Sequence, residues 1–516
     1  MTNAKQANNT DMESDILTRM KVLFEVLGGS VNITEKNGLE VACPADGSLI
    51  ASVAQDTHKT VTQKAANARI AQNAWAQLPR AERISLVEAL AAGVKEQREP
   101  LATLITLEAG KTLKEAYAEV DGSADILLKT IKDTSLAELS GMLRTKERPA
   151  IGVVGLITSF NFPLAVANWN MGAALLAGNA ILWKPSEKTP LTALGYACVF
   201  RKAAGKWSEL LHTIIGGRDI GEALVACEDV DMISATGSTA MGRGIKATLS
   251  KKYNKGVKHI LELGGNNGVI ISQKTSPEHR AWVVKALMNS FLGTSGQRCT
   301  NTRRVFIHRD VYDEMCQLFK ETLDAFIASG AIQSPLSGES NEYGYGPLID
   351  AHAYRVFDKS MRFVEAQGGL CVLGARLFKD QYPQAFYVEP ALAFLPKQTA
   401  VMLDETFGPL LFLVPYDGDI DEAIAMLNEP VNSGLVSAIY TQNSKEAERF
   451  ALKSEAGHVL INPPKGTGTP AHGMGFGGNK ESGEGEILNS ADPLQAFTRD
   501  GHFRRIAQNK DTPMDH

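Results

Sequence analysis

The 516-residue sequence lacks any strong charge imbalance: 53 Lys and Arg stand against 58 Asp and Glu, a formal net charge of -5. Without a basic excess there is no general attraction to phosphate backbones or anionic lipid, which argues against nucleic acid as a partner. Cysteine is scarce too. Cys43, Cys198, Cys227, Cys299, Cys316 and Cys371 show no C-x-x-C pair or other metal-ligand spacing. No metal site is expected, and most of these thiols fit a reducing compartment as small buried hydrophobes. The first twenty residues have neither the apolar stretch of a signal peptide nor the Arg-rich, acid-poor character of a transit sequence, so the expected location is cytoplasmic.

A long uninterrupted apolar run is missing as well. Pro149 to Trp183 contains no charged side chain, but Asn161, Pro163, Asn168, Asn170 and Asn179 interrupt it. A spanning helix wants about 20 consecutive apolar residues, so this stretch reads as a buried strand, a turn, a buried helix and a second strand, with no membrane partner.

What the chain does have is an ordinary globular composition, 44% hydrophobic and 22% charged, and a length beyond which a single core stops growing. Asp56 to Ala118 carries helical periodicity through Ile84, Leu86, Leu90 and Ala91. From Gly152, short apolar runs alternate with helices: IGVVGLIT, PLAVANWNMGAALLAG, NAILWKP, a helix from near Thr192, LLHTIIGG and VDMISATGS. The alternation resumes after Glu262 with LGGNNGVIIS, a helix near Arg280 to Leu292, RRVFIHR, a helix from Val311 to Ser329, ALAFLP, LFLVPY and LVSAIYT. This pattern predicts an α/β protein with two parallel sheets covered by helices. The C-terminal HFRRIAQNKDTPMDH is expected to be a polar tail.

Cys299 lies in the Gly-flanked segment SFLGTSGQRCT after a helix. Taken alone it has two readings, a buried inert thiol or an accessible nucleophile. Four other segments shift the balance: TSFNFP follows a strand, LWKPSE ends one, TGSTAMGR joins strand to helix, and LELGGNN sets a carboxylate beside paired glycines. With GQRC and ETFGP these motifs stand in an order and at a spacing that resemble the aldehyde dehydrogenase superfamily, from about Gly47 to Phe497.

The resemblance implies an aldehyde dehydrogenase fold: a modified Rossmann NAD-binding domain (1–128 and 151–262), an α/β catalytic domain (263–479), and a β-ribbon oligomerisation element with tail (129–150 and 480–516). It implies Cys299 as the nucleophile, Asn161 as the oxyanion donor and Glu262 as the base for thioester hydrolysis. Glu262 lies among apolar residues, where a carboxylate pKa is pushed upward. Read without the family, Asn161 has the alternative of a turn residue before Pro163, and Glu262 that of a surface acid. For the cofactor, NAD, the resemblance names Thr158, Ser159, Phe160, Lys184, Ser186, Glu187, Gly217, Gly221, Thr236, Gly237, Ser238, Met241, Glu405 and Phe407. Glycines admit close backbone approach, and the helix after Ser238 offers its N-terminus to phosphate. Glu187 favours NAD over NADP, because a carboxylate at the ribose repels a 2′-phosphate.

FNFPLAVANWN, ELGGNN and SGQRCT with Thr302-Arg303-Arg304 look most like the antiquitin-like group (family 7), which oxidises α-aminoadipic semialdehyde. Arg298 would hold a substrate carboxylate, or else serve a structural ion pair; Phe162 and Trp169 complete the expected substrate contacts. Aligning Glu119-Val120-Asp121-Gly122 with the group's substrate-binding helix puts Gly122 where a glutamate takes the amino group, so that partner is expected to be missing. The loop INPPKGTGTPAHGMGFGG, with Lys465 and His472, also departs from the group, and a few extra residues separate Glu262 from Cys299. The expected activity is oxidation of a carboxylated semialdehyde to the acid by a homodimer or homotetramer. Coenzyme A acylation and a non-catalytic scaffold are the alternatives; the presence of Cys299, Glu262 and Asn161 speaks against both.

Overall fold

In the computed structural model, residues 18–140, 149–252, 257–338, 341–429, 432–468, 475–488 and 490–499 are described. The uncharged stretch from Pro149 becomes the strand Val153–Ile157, the helix Ala165–Leu176 and the strand Ala180–Lys184, every residue of both strands buried. Its length is thus divided among three elements, and no helix of the described residues is long and apolar enough to cross a membrane.

These strands belong to a six-stranded sheet in the order Gly483–Glu484, Lys258–Glu262, Met232–Thr236, Val153–Ile157, Ala180–Lys184, Leu211–Thr213. All neighbours are parallel except the first pair. The chain winds outward from Val153–Ile157 in one direction, then returns to its other side at Met232–Thr236. That reversal opens a crevice at the carboxyl ends of these two strands, where open α/β sheets bind ligands. The second sheet has seven strands in the order Leu370–Leu373, Ala391–Phe394, Leu410–Tyr416, Thr302–His308, Asn267–Ile271, Val436–Tyr440, His458–Ile461.

Ahead of the first sheet come an antiparallel pair, Leu39–Ala42 with Leu49–Val53, and the helices His58–Trp75, Arg80–Glu96, Arg98–Ala109 and Leu113–Leu139. The last one corrects an expectation. A ribbon was expected from residue 129, yet the helix runs on to Leu139, because Thr130, Thr134 and Ala137 continue its buried face. Residues 141–148 lie outside the described set, as do His472 and the C-terminal tail. At the other end, Gly483–Glu484, expected to bridge subunits, extends the chain's own sheet against Glu262 and Leu261.

Two buried carboxylates fix helices that have no cap of their own. Glu108 accepts from the Leu191 N–H (2.5 Å), the Thr192 N–H (2.7 Å) and the Thr192 hydroxyl (2.7 Å), closing the start of the helix Pro190–Ala204. Glu119 accepts from the Leu164 and Ala165 N–H groups at 2.9 and 3.1 Å and so caps Ala165–Leu176, while its other oxygen meets Lys111 at 2.6 Å. Each satisfies amide donors that a helix start leaves open.

Candidate active site

The carboxyl ends of the first sheet meet the amino ends of the second. Thr158 to Asn161 leave the strand Val153–Ile157, Thr236 to Ser238 leave Met232–Thr236, and Glu262 ends its own strand. Leu263 to Asn266 then cross to Asn267–Ile271, whose neighbour Thr302–His308 is entered from the Cys299 loop and whose next neighbour, Leu410–Tyr416, is entered from Glu405–Pro409. Residues far apart in sequence are gathered at one seam.

Cys299 is half-buried there. Asn267 Nδ2 donates to the Cys299 carbonyl at 2.7 Å, and a Cβ on Gly265 would lie 2.3 Å from that oxygen, so only glycine permits this approach. Burial, then the carboxylates of Glu405 and Glu262, push the thiol up to about 12, while the Arg303 guanidinium acts the other way. Glu262 is 6% exposed, and its Oε2 has no hydrogen-bond partner among the described residues. Desolvation raises its carboxyl well above the ordinary range, the condition of a group that takes a proton from water once charged. Glu405 is also raised, to about 7, by burial, against the pull of Arg303 and the Gly265 N–H, which donates to it at 3.2 Å.

Asn161 is 4% exposed. Its Nδ2 donates to the Gln297 carbonyl at 2.8 Å and its Oδ1 accepts from Ser159 Oγ at 2.7 Å, so the amide is held beside the segment leading to Cys299. The rings of Phe160 and Phe407 meet edge to face at 6.0 Å across the seam.

A second group lies along the first sheet. Thr158 takes its position from two bonds, its N–H to the Lys184 carbonyl (3.1 Å) and its hydroxyl from Trp183 Nε1 (2.9 Å). Lys184 is buried, its ammonium pulled down by desolvation against the opposing charges of Glu187 and Asp219. Its chain crosses Gly221, where a Cβ would sit 3.3 Å from Lys184 Cδ and Cε. Glu187 is exposed and Ser186 and Gly217 partly so. Ser238 caps the helix Thr239–Leu249 by accepting from the Met241 N–H at 3.2 Å, and the first turn of that helix holds no acid. An unopposed helix N-terminus beside a buried lysine and an exposed carboxylate suits the phosphates and ribose of a dinucleotide.

On the substrate side the structure corrects the assignment of Gly122. No atom of the described residues lies within 4 Å of a Cβ built there, and neighbouring Asp121 is taken by Arg98 (2.6 and 2.8 Å). The acid that meets Arg298 is Glu115, two helical turns earlier. Arg298 Nη2 donates to Glu115 Oε1 at 2.5 Å and Arg298 Nε to Thr294 Oγ1 at 2.7 Å, while Glu115 Oε2 is buried with no hydrogen-bond partner among the described residues. Glu115 and Glu119 lie one turn apart on one face of the helix Leu113–Leu139, with position 122 a further turn along, so an alignment can slip along them without violating the pattern. Phe162 lies between two cations, with Lys111 Nζ 3.7 Å and the Arg298 guanidinium carbon 5.6 Å from its ring centre. Trp169 packs edge to face on Phe476 at 4.9 Å, and Phe476 also stacks on His458. Glu115, Phe476 and Arg303 were not singled out from sequence as site residues. The neighbouring Arg-Arg pair was a visible signal for the last, but not its burial.

Residues 31–502 match the aldehyde dehydrogenase family. The α-aminoadipic semialdehyde dehydrogenase of Bos taurus is 31% identical over 92% of this chain and 86% of its own, and an aldehyde dehydrogenase family 7 member A1 of Pisum sativum is 30% identical over 87% and 86%. Among solved structures, lactaldehyde dehydrogenase from Escherichia coli superposes with a TM-score of 0.80 at 28% identity, covering 92% of this chain and 96% of its own. An indole-3-acetaldehyde dehydrogenase from P. syringae in complex with NAD+ gives 0.80 at 26% identity, covering 89% and 91%. The chain therefore belongs to the aldehyde dehydrogenase family, and it is an NAD(P)-dependent enzyme that oxidises an aldehyde to the carboxylic acid.

Proposed function

We propose that the substrate is a semialdehyde carrying both a carboxylate and an ammonium, that NAD is the oxidant, and that the acyl group passes through a thioester on Cys299. The observation that carries the substrate class is the pair Arg298–Glu115, which sets a forked cation beside a buried carboxylate oxygen that has no hydrogen-bond partner among the described residues. Arg298 matches a carboxylate in bidentate geometry, and Glu115 Oε2 accepts from an ammonium. A zwitterionic tail satisfies both at once, and α-aminoadipic semialdehyde has this form.

In the reaction the Cys299 thiol gives up its proton to water, its sulfur bonds to the aldehyde carbon as the carbonyl π pair moves onto oxygen, and the oxyanion is met by the Asn161 amide and the Cys299 N–H. A nicotinamide dinucleotide bound at this seam would supply the hydride acceptor that lets the thiohemiacetal collapse to the thioester. Glu262 then removes a proton from water as its oxygen attacks the thioester, releasing the acid and the thiol. Lys184 and Glu187 would hold the adenosine ribose, Ser238 and Gly237 the pyrophosphate, and Glu405 the nicotinamide ribose, with Phe160 and Phe407 available to the nicotinamide. The exposed Glu187 supports NAD over NADP. A cytoplasmic homodimer or homotetramer fits the open edge at His458–Ile461, where Ile461 is 47% exposed.

The test is NADH formation from a panel of semialdehydes differing only in carboxylate and amino groups, with and without coenzyme A and with Arg298→Leu. The zwitterionic member should give the highest kcat/KM, without need of coenzyme A. Preference for plain aliphatic aldehydes with a silent Arg298→Leu would refute the reading.

A further inference from the structure

The loop that carries Cys299 does not hold its shape by local preference. Thr294, Ser295 and Gly296 take φ of 52°, 53° and 74°, three left-handed residues in succession, and left-handed backbone costs about 1–2 kcal/mol for each non-glycine residue. Such a turn persists only where the surroundings over-determine it. Ser295 Oγ gives one anchor, donating to the Gly346 carbonyl (2.7 Å) and accepting its N–H (2.8 Å). At Gly296 the loop touches a second segment backbone to backbone, since a Cβ there would fall 2.3 Å from the Gly408 carbonyl carbon.

Arg303 sits beneath this contact, 1% exposed. Its Nη1 donates to the carbonyls of Gly296 (2.6 Å) and Gly408 (3.0 Å), and its Nη2 to that of Arg298 (3.0 Å). The same Nη2 lies 3.8 Å from Glu405 Oε1, and the guanidinium carbon stands 5.6 Å from the Phe407 ring centre. A buried cation is expensive to desolvate, yet here it is spent mostly on neutral carbonyls. Arg304, on the opposite face of the same strand, is equally buried but binds Asn266, Leu427 and Met426 carbonyls away from the thiol.

We infer that Arg303 is a positioning residue that staples the Cys299 loop to Glu405–Pro409, fixing the spacing between the nucleophile and the cofactor contacts. Its charge acts on the same thiol. Among the described residues the charged groups facing Cys299 are Glu405, Glu262 and Arg303, of which Arg303 is the cation. The inference rests on the reading of Cys299 as nucleophile and of Glu405 as a cofactor contact.

Arg303→Met and Arg303→Lys separate the two effects, because lysine keeps a point charge but cannot bridge three carbonyls with a planar fork. The readouts are steady-state kcat and cofactor KM, and the rate at which iodoacetamide alkylates Cys299 at pH 9 without cofactor, followed by peptide mass spectrometry. Arg303→Met should alkylate about tenfold more slowly, the consequence of a one-unit rise in thiol pKa, and should raise the cofactor KM about tenfold. Arg303→Lys should keep the alkylation rate within about twofold while the cofactor KM still rises about tenfold. Arg304→Lys should lower Tm without that rise. An unchanged cofactor KM in Arg303→Lys overturns the inference, and this variant decides alone if Arg303→Met does not fold. Glu405→Gln distinguishes the two layers: if it leaves the cofactor KM unmoved the cofactor assignment fails, and if it raises KM while Arg303→Lys does not, only the staple fails.

Discussion

Glu115→Gln tests the substrate reading most sharply, because it removes one charge and keeps the shape. Gln still offers a carbonyl oxygen to Thr294 Oγ1, which donates to Glu115 Oε1 at 2.5 Å. Lost are the partner of Arg298 and the carboxylate aimed at a substrate ammonium. The side chain is only 9% exposed, so solvent screens little of the interaction. A hydrogen bond to a charged group is worth about 1.5–3 kcal/mol, so kcat/KM for the zwitterionic semialdehyde should fall about 10- to 100-fold. For the analogue lacking only the amino group the direction differs. Arg298 is then freed of its internal competitor, and kcat/KM should hold or rise. NADH formation measured on the matched pair gives the ratio. An equal fall for both substrates would show general damage to the pocket, and an unchanged zwitterion rate would show that Glu115 does not touch substrate; either result refutes the reasoning.

Glu262→Gln should slow thioester hydrolysis at every pH, and the rise of the wild-type hydrolysis rate with pH, as the raised carboxyl ionises, should be absent; an unaltered single-turnover profile would exclude it as the base. The same variant has a stability signature. A carboxyl whose folded pKa lies above its unfolded value contributes stability that is lost as pH climbs through the folded value, so the Tm of Glu262→Gln should gain on wild type as pH rises from about 4.5, and a parallel Tm profile would contradict the burial argument. Lys111→Met leaves Glu119 charged and buried without its partner, both side chains being at most 1% exposed; urea unfolding should show a loss of about 3–5 kcal/mol, and a loss under about 1 kcal/mol would mean the pair adds little.

Much of the fold was legible because strand and helix periods alternate cleanly. The helices expected near Arg280–Leu292 and Val311–Ser329 occur at Pro277–Leu292 and Arg309–Ala328, and the uncharged run beginning at Pro149 divides as its prolines and asparagines suggest. The region from residue 129 to Leu139 was misread because family analogy overrode an apolar face that simply continues. At the site, short motifs beside strand ends marked Cys299, Glu262 and Asn161, since turns at sheet ends leave a sequence signature. Glu115 left none, and the Arg303-Arg304 pair shows a charge but not its task. A helix repeats its face every turn, so sequence does not say which turn meets Arg298, and the task of Arg303 depends on carbonyls of Gly296 and Gly408 that come together only on folding.

The central claim is that oxidation passes through a thioester on Cys299. Its direct measurement is peptide mass spectrometry of Glu262→Gln quenched after mixing with the semialdehyde and NAD, beside Cys299→Ser under the same conditions. The expected result is an acyl adduct on the Cys299 peptide, a burst of NADH of about one per site, and no NADH from Cys299→Ser. Turnover by Cys299→Ser, or a burst without an adduct on Cys299, would contradict the account.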